Sequence, residues 1–147
     1  MTLVADLLNR KGRDVWSIGP DATVFEALEL MAEKNIGALL VVDGGGVVGA
    51  FSERDYARKV VLKGKQSKET KVRELMSSPV YFVSPDKTTD DCMALMTDQR
   101  VRHLPVLDGG KLVGIVSIGD VVNNIMAEQK DQIKNLEDYI TGRGYGA

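Results

Sequence analysis

The amino-acid sequence contains two copies of one pattern, and this duplication restricts the fold more than any other feature. Residues 15–55 align with residues 80–120 without a gap, at a constant offset of 65. Such a repeat predicts two copies of one supersecondary unit, related by an approximate twofold axis. A groove between packed halves is a common place for a small ligand. The identical pairs include Pro20/Pro85, Asp21/Asp86, Thr23/Thr88, Met31/Met96, Gly49/Gly114, Ser52/Ser117 and Asp55/Asp120.

Composition excludes several classes of protein. The chain has 147 residues, 44% of them hydrophobic and 27% charged, which is typical of a globular domain with its own core. A net charge of −2 argues against nonspecific binding to nucleic acid, which depends on an excess of Lys and Arg. No long apolar run or signal peptide is evident, and there is one cysteine. We therefore expect a cytoplasmic protein without a membrane span or disulfide.

Each copy predicts the element order β-α-β-β-α, and therefore a mixed α/β (α+β) fold. Residues 15–18 and 80–83 are short and extended, and a Pro-Asp turn follows each. Thr23 and Thr88 stand where a helix would begin, with an acidic residue three positions later, as in a capping box. Asp-Gly-Gly then separates two apolar runs in each copy, which predicts a β-hairpin. A second helix should follow Ser52 and Ser117.

Shorter segments flank the two copies. Residues 4–8 resemble residues 72–76, and both predict a short helix leading into a first strand. The polar, basic residues 63–71 are interpreted as a solvated linker. The predicted division is copy one at 1–65, copy two at 66–127, and a C-terminal helix with a flexible tail at 128–147. Residues 142–146 would be a frayed tail.

The last helix should continue to about Ile140 with one apolar stripe. Gln129 fills a heptad position within this stripe. The stripe is too short to establish a coiled coil, so it could pack on the chain's own core or on a second chain. Its apolar members are Val122, Met126, Ile133, Leu136 and Ile140.

The same motif closes both copies: apolar-Gly-apolar-apolar-Ser-x-x-Asp, at residues 48–55 and 113–120. Together with the repeat length and the element order, this motif resembles the cystathionine β-synthase (CBS) domain. Two such domains in tandem form a Bateman module, and the chain is similar to bacterial stand-alone CBS pairs. The resemblance covers roughly residues 4–126. It implies a pseudo-twofold module with two clefts that bind adenine nucleotides such as AMP, ADP, ATP, NAD(H) or S-adenosylmethionine.

The resemblance also implies which residues form each cleft. The motif Asp would hold the ribose hydroxyls, and the motif Ser would contact phosphate. Each cleft would then combine a motif from one copy with strands of the opposite copy. Cleft one would use Ser52, Arg54 and Asp55, with Val80, Tyr81, Phe82, Val83, Val101, Arg102 and His103. Cleft two would use Ser117 and Asp120, with Val15, Trp16, Ile18, Ile36, Gly37 and Ala38.

General chemistry supports this interpretation. A carboxylate can accept hydrogen bonds from two adjacent ribose hydroxyls, and a helix N-terminus suits a phosphate. Arg54 and Arg58 are one helical turn apart, and with Arg102 and His103 they would gather several donors around one phosphate. Cleft one is therefore expected to hold the phosphate-rich end of a ligand more tightly than cleft two, and AMP is the expected ligand.

Alternative interpretations remain open at this stage. Ser-x-x-Asp is also a plain capping box. Trp16 and Tyr81 could stack on a base or simply pack against protein, whereas Cys92 is expected to be a buried core residue. No phosphate-binding loop, nucleophile–base pair or metal-ligand set is evident, so no catalytic or metal-binding residues are predicted. The preferred hypothesis is a regulatory nucleotide-sensing homodimer that acts on an unknown effector protein. The alternatives are a nucleotide-independent scaffold or a nucleotide-converting enzyme.

Overall fold

The structure is a computed structural model that describes residues 1–78 and 80–141. Its helices are α1 Val4–Lys11, α2 Val24–Lys34, α3 Glu53–Asp55, α4 Val72–Leu75, α5 Thr89–Gln99 and α6 Ile118–Thr141, and a π-helix at Tyr56–Val61 continues α3. Its strands are β1 Ser17–Ile18, β2 Ala38–Asp43, β3 Gly46–Ser52, β4 His103–Asp108 and β5 Lys111–Ser117. The mixed α+β fold with a C-terminal helical extension is confirmed. The predicted tail at residues 142–146 lies outside the described residues.

Each copy contains the predicted hairpin. In copy one, β2 and β3 pair antiparallel, and β1 lies parallel beside β2 with Ser17 opposite Leu40. In copy two, β4 and β5 form the same hairpin, but the first strand is reduced to one parallel bridge between Val83 and Val106. Both tight turns use two successive glycines at positive φ, a conformation that favours glycine over residues with a Cβ.

The predicted lead helices α1 and α4 exist, but each packs on the core of the other copy. Leu8 of α1 is fully buried in a cluster with Cys92 and Val106 of copy two. Val72 of α4 is fully buried in a cluster with Val41 of copy one. Burial of apolar surface drives this exchange, because each cluster would otherwise leave one side of its sheet uncovered. The burial of Cys92 confirms its predicted place in the core.

Backbone hydrogen bonds fix this exchange symmetrically. The Val4 amide donates to the Lys87 carbonyl, and the Val72 amide donates to the Ala22 carbonyl. Ala22 and Lys87 are equivalent at the offset of 65, so the two lead helices begin against equivalent turns of opposite copies. These bonds satisfy amides of a first helical turn, which have no partner inside their own helix.

Gly49 and Gly114 lie where the exchanged segments approach the hairpins. A Cβ on Gly114 would stand 2.7 Å from Leu8 Cδ2. A Cβ on Gly49 would stand 2.6 Å from Met76 Sδ and 3.0 Å from the Ser77 carbonyl oxygen. Both glycines of the motif therefore allow close packing of the lead segment that comes from the other copy.

The charged residues of the linker at residues 63–71 are exposed, as predicted, but its backbone docks on the first turn of α2. The carbonyl of Thr70 accepts from the amide of Val24, and the carbonyl of Ser67 accepts from the amide of Phe25. Thr70 is buried, and its hydroxyl donates to the Gln66 carbonyl. The linker docks because the first turn of α2 needs acceptors for its amides.

Helix α6 continues past the second core as predicted. Its first turns pack against α5 and β5. All residues from 129 to 137 are exposed, so the apolar stripe does not pack on the described core over that length. None of the helices in residues 1–78 and 80–141 has the length and apolarity to span a bilayer.

Candidate functional site

The structure pairs the start of β2 with the end of β3 inside copy one, whereas the predicted clefts combined each motif with strands of the opposite copy. Ala38 lies opposite Ser52, and the Glu53 amide donates to the Gly37 carbonyl at 3.0 Å. We call this region, around Ser52 and Asp55, the Asp55 site. The physical reason is the hairpin itself, because an antiparallel β2–β3 turn brings the start of β2 beside the end of β3. The Asp-Gly-Gly turn in the sequence already predicted that these two strand ends lie side by side.

The equivalent region in copy two is called the Asp120 site. His103 lies opposite Ser117, and the Ile118 amide donates to the Arg102 carbonyl at 2.8 Å. Arg102 and His103 therefore lie next to the motif of their own copy. The predicted group of four phosphate donors is divided, with Arg54 and Arg58 near the first motif and Arg102 and His103 near the second.

The first strands also stay with their own copies. β1 runs parallel to β2. Val15 and Trp16, which precede β1, therefore lie at the same end of the sheet as Ala38. The Val83–Val106 bridge is also parallel, so Tyr81 and Phe82 lie toward the start of β4. Ile18 lies opposite Val41, Ile36 packs against the copy-one core, and Val101 packs against the copy-two core. Val80 is half-buried.

The two aromatic side chains that could stack on a base, Trp16 and Tyr81, are partly exposed. Trp16 and Tyr81 are 43% and 41% exposed, so neither is a core residue. The Lys34 ammonium lies 4.2 Å from the centroid of the Trp16 ring, within the range of a cation–π contact. The exposed faces leave room for stacking by another flat group, which keeps that interpretation open as a prediction.

Both motifs form the capping box that the sequence also allowed. The Asp55 amide donates to Ser52 Oγ at 3.1 Å, and the Ser52 amide donates to Asp55 Oδ2 at 3.0 Å. The Asp120 amide donates to Ser117 Oγ at 3.1 Å, and the Ser117 amide donates to Asp120 Oδ2 at 2.9 Å. Each motif therefore begins a helix and also holds a carboxylate at its N-terminus, where positive dipole charge accumulates.

The remaining oxygen of Asp55 is engaged by two further groups. The Ser77 hydroxyl donates to Asp55 Oδ1 at 3.2 Å, and Lys59 Nζ lies 3.1 Å from the same oxygen. Lys59 also donates to the Leu75 carbonyl. The Asp55 side chain is only 13% exposed. Sequence reasoning missed both partners, although the i,i+4 spacing of Asp55 and Lys59 could have indicated the ion pair.

Asp120 has a different arrangement, because its partner comes from the exchanged helix. Lys11 Nζ lies 2.5 Å from Asp120 Oδ2 and 2.9 Å from the Ile115 carbonyl oxygen. The capping bond and the ion pair both fall on Oδ2, and neither engages Oδ1. No sequence signal connects Lys11 to Asp120, since the contact depends on the exchange of lead helices.

The electrostatics of the Asp120 site follow from these neighbours. Partial burial raises the pKa of Asp120, but hydrogen bonds from Lys11 and Ser117 outweigh that effect and leave the pKa below its usual value. Desolvation lowers the pKa of His103, Asp120 opposes this, and the positive charges of Lys11 and Arg102 reinforce it. His103 is thus favoured in its neutral form.

Two shallow cavities, each of about 290 Å³, border the predicted residues of copy two. One adjoins Asp120 between α1 and α6, and its lining is Leu7, Arg10, Lys11, Asp120, Asn123, Asn124 and Ala127. The other lies beside the first strand of copy two, and its lining is Phe82, Val83, Ser84, Lys87, Asp91 and Leu95. Each is near the small end of the volumes that ligand sites occupy.

Comparison with known proteins gives a consistent result. The family described as the CBS domain matches residues 4–62 and again residues 72–127. CBS domain-containing protein CBSX3, mitochondrial, from Arabidopsis thaliana is 38% identical over 154 residues, covering 98% of this chain and 74% of that protein. Both matches to the family begin at a lead helix; the first ends just after the π-helix and the second ends within α6.

Solved structures resemble the fold closely. A putative signal-transduction protein with CBS domains from Burkholderia ambifaria is 54% identical, with a TM-score of 0.84 over 87% of this chain and 96% of that one. The CBS domain pair of protein MJ0100, solved in complex with 5′-methylthioadenosine and S-adenosyl-L-methionine, is 25% identical. Its TM-score is 0.76, over 87% of this chain and 98% of that one.

Proposed function

Because this chain belongs to the CBS domain family, with two copies of the domain in tandem, we propose that it is a regulatory module that senses an adenine nucleotide. The observation that carries the proposal is the duplicated carboxylate at a helix N-terminus, Asp55 and Asp120, each beside basic side chains. The complex of the similar CBS pair of MJ0100 with two adenosine-type molecules supports the same ligand class. AMP is the proposed ligand, and ADP, ATP and NAD(H) share the recognised adenosine.

The proposed recognition uses groups already positioned by the fold. Asp120 Oδ1 would accept from the ribose hydroxyls, and the positive end of α6 would attract the phosphate. Arg102 and His103 would add donors at the start of β4. A phosphate beside His103 would favour the protonated imidazole, so binding of the nucleotide would take up a proton.

The Asp120 site is proposed as the primary site, which reverses the ranking expected from sequence. That ranking depended on placing Arg102 and His103 beside Asp55. Both carboxylate oxygens of Asp55 are engaged by protein groups, whereas the contacts of Asp120 fall on Oδ2. The Asp120 side chain is also more exposed, 25% against 13%, and it borders a cavity.

The proposed signal is a shift in the relation between the two copies. Lys11 belongs to α1, which packs on the second core and leads back to β1 of the first. A ligand that competes for Asp120 would change the ion pair that holds the end of α1. Occupancy would then favour one of two arrangements, which a partner protein or the protein's own assembly could detect.

The test is thermal unfolding with AMP, ADP, ATP, NAD⁺, NADH or S-adenosylmethionine. A ligand at a hundredfold over its dissociation constant should add about 2.7 kcal/mol to the free energy of unfolding. Asp120→Asn keeps the size of the side chain and removes its charge, so it should abolish most of the shift. Asp55→Asn should have the smaller effect on the shift.

Glu74→Gln is the matched control for loss of a capping carboxylate. Glu74 accepts from the Lys71 amide at the start of α4 and lines neither cavity. It should lower the melting temperature yet keep the ligand-induced shift. Nucleotides recovered after incubation should be chemically unchanged, whereas turnover lost in Asp120→Asn would identify an enzyme. No shift with any ligand would favour a nucleotide-independent scaffold.

A further inference from the structure

The last three turns of α6 carry an apolar stripe that the rest of the described molecule leaves exposed. Ile133, Leu136 and Ile140 are 57%, 62% and 79% exposed. With Gln129 they lie within an arc of about 60° at 100° per residue. The extension continues a helix whose first turns pack against α5 and β5, and burial of its apolar stripe on a partner surface would lower the free energy.

The edges of this stripe differ in charge, and the difference restricts the partner. Lys130 and Glu137 lie along one edge of the stripe, seven positions apart. Gln132 lies along the other edge and is neutral. Opposite charges at such flanking positions set the orientation of paired helices. The charged edge contains one cation and one anion, so it is complementary to itself.

Only an antiparallel pairing uses this complementarity. A twofold axis between antiparallel helices places the charged edge of one helix against the same edge of the other. Lys130 then faces Glu137 of a second copy, and Glu137 faces Lys130 of that copy. A parallel pair would instead place Lys130 and Glu137 against the neutral edge.

The same alignment brings the apolar residues together. When Lys130 faces Glu137 of the second copy, Ile133 lies opposite Leu136 of that copy, as in an a–d layer of a coiled coil. A shift by one heptad would place Lys130 against Lys130 of the second copy and repel it. In the favoured register the overlap is confined to residues 129–140, and the two globular bodies lie at opposite ends.

We propose that the extension of α6 is a self-association surface, on which residues 129–140 of two copies pair antiparallel with reciprocal Lys130–Glu137 ion pairs. The proposal is independent of nucleotide binding, because none of these residues belongs to the Asp55 or Asp120 site. Other surfaces can add further association, so the measurable consequence is one twofold step in the mass of the assembly.

The test measures the mass of the full chain by light scattering after size exclusion. Ile133→Glu/Leu136→Glu should halve the mass of the assembly, with the melting transition of the globular part retained. Lys130→Glu alone and Glu137→Lys alone should weaken association by placing like charges together. Asp131→Lys changes the charge by as much as Glu137→Lys on the outer face of α6, and should leave the mass unchanged.

Mixing the two single charge variants tests the orientation directly. Lys130→Glu and Glu137→Lys chains should form a mixed assembly with two ion pairs, one of the original polarity and one reversed. The double variant Lys130→Glu/Glu137→Lys should associate like the original chain. An unchanged mass in Ile133→Glu/Leu136→Glu would overturn the surface, and failure of the mixture to associate would overturn the antiparallel register.

Discussion

Lys11 and Asp120 form an ion pair with 2.5 Å between Lys11 Nζ and Asp120 Oδ2, although 109 positions separate them in the chain. The pair joins the end of α1 to the start of α6. It exists because α1 packs on the core of the second copy. The ion pair is partly shielded from water, with side chains 29% and 25% exposed.

Replacing Lys11 by Met should raise the pKa of Asp120 and lower the free energy of unfolding by about 0.5–1 kcal/mol at pH 7. The lowered pKa of Asp120 contributes stability that is present above pH 3.8 and lost as the pH falls. Carbon-detected NMR titration and urea unfolding would measure both effects. Arg13→Met is the control, because Arg13 contacts Asn9 of its own segment. An unchanged Asp120 pKa in Lys11→Met would contradict the ion pair.

Adding a methyl group at Gly114 or Gly49 should lower the free energy of unfolding by about 1–3 kcal/mol, because each Cβ would overlap a packed lead segment. The overlap at Gly114 is with Leu8 side-chain atoms, so Leu8→Ala should reduce the cost of Gly114→Ala. At Gly49 the Ser77 carbonyl also obstructs, and Met76→Ala should give only partial relief.

Gly19→Ala is the control for these glycine variants. A Cβ there would meet nothing within 4 Å. Urea unfolding of the single and double variants provides the comparison. Additive effects of Gly114→Ala and Leu8→Ala on the free energy of unfolding would mean that the Leu8 side chain does not obstruct the added methyl group.

Cys92 should resist thiol reagents in the folded protein. Burial raises the pKa of its thiol to about 11, and the side chain is fully buried. The thiolate is the reactive form, so Ellman's reagent at pH 8 should modify Cys92 only when the chain opens. The comparison is an Ala94→Cys/Cys92→Ala chain, whose thiol lies at an exposed position of α5. Equal rates in the two chains would disprove the buried environment.

Stability should fall as the pH drops below about 6.5 because of His103. Its pKa is lower in the folded chain than the ordinary value of 6.5, so the unfolded chain binds the proton first. His103→Gln should therefore show a smaller loss of stability between pH 7.5 and 5.5 than the original chain. Urea unfolding of both chains at pH 7.5 and pH 5.5 measures the two losses of stability. A steeper loss in His103→Gln would reverse the inferred direction of the pKa shift.

The repeat predicted most of the local structure correctly. Asp43-Gly44-Gly45 and its equivalent in copy two specify a turn that few other sequences favour, so the hairpins were predictable. Thr23 and Thr88 cap α2 and α5 as predicted, since capping depends on residues three positions apart. Features decided by neighbours in sequence can be recognised from one chain.

The exchange of the lead helices could not be predicted in this way. Val4 and Val72 are apolar on one face of short helices, and that pattern does not specify which of two similar cores will cover them. The contacts of Lys11 and Ser77 with the motif carboxylates depend on the exchange, so they were missed as well. The pairing of His103 with Ser117, by contrast, follows from the hairpin, which the sequence predicted.

The exchanged helices also restrict what a chain with only one copy could do. Such a chain would have no second core to bury its lead helix, and its own core would lack the helix that covers it here. Two identical single-copy molecules could cover both cores by exchanging their N-terminal segments. A domain-swapped dimer of half-length chains would thus contain the same contacts, and the present chain is its covalently joined form.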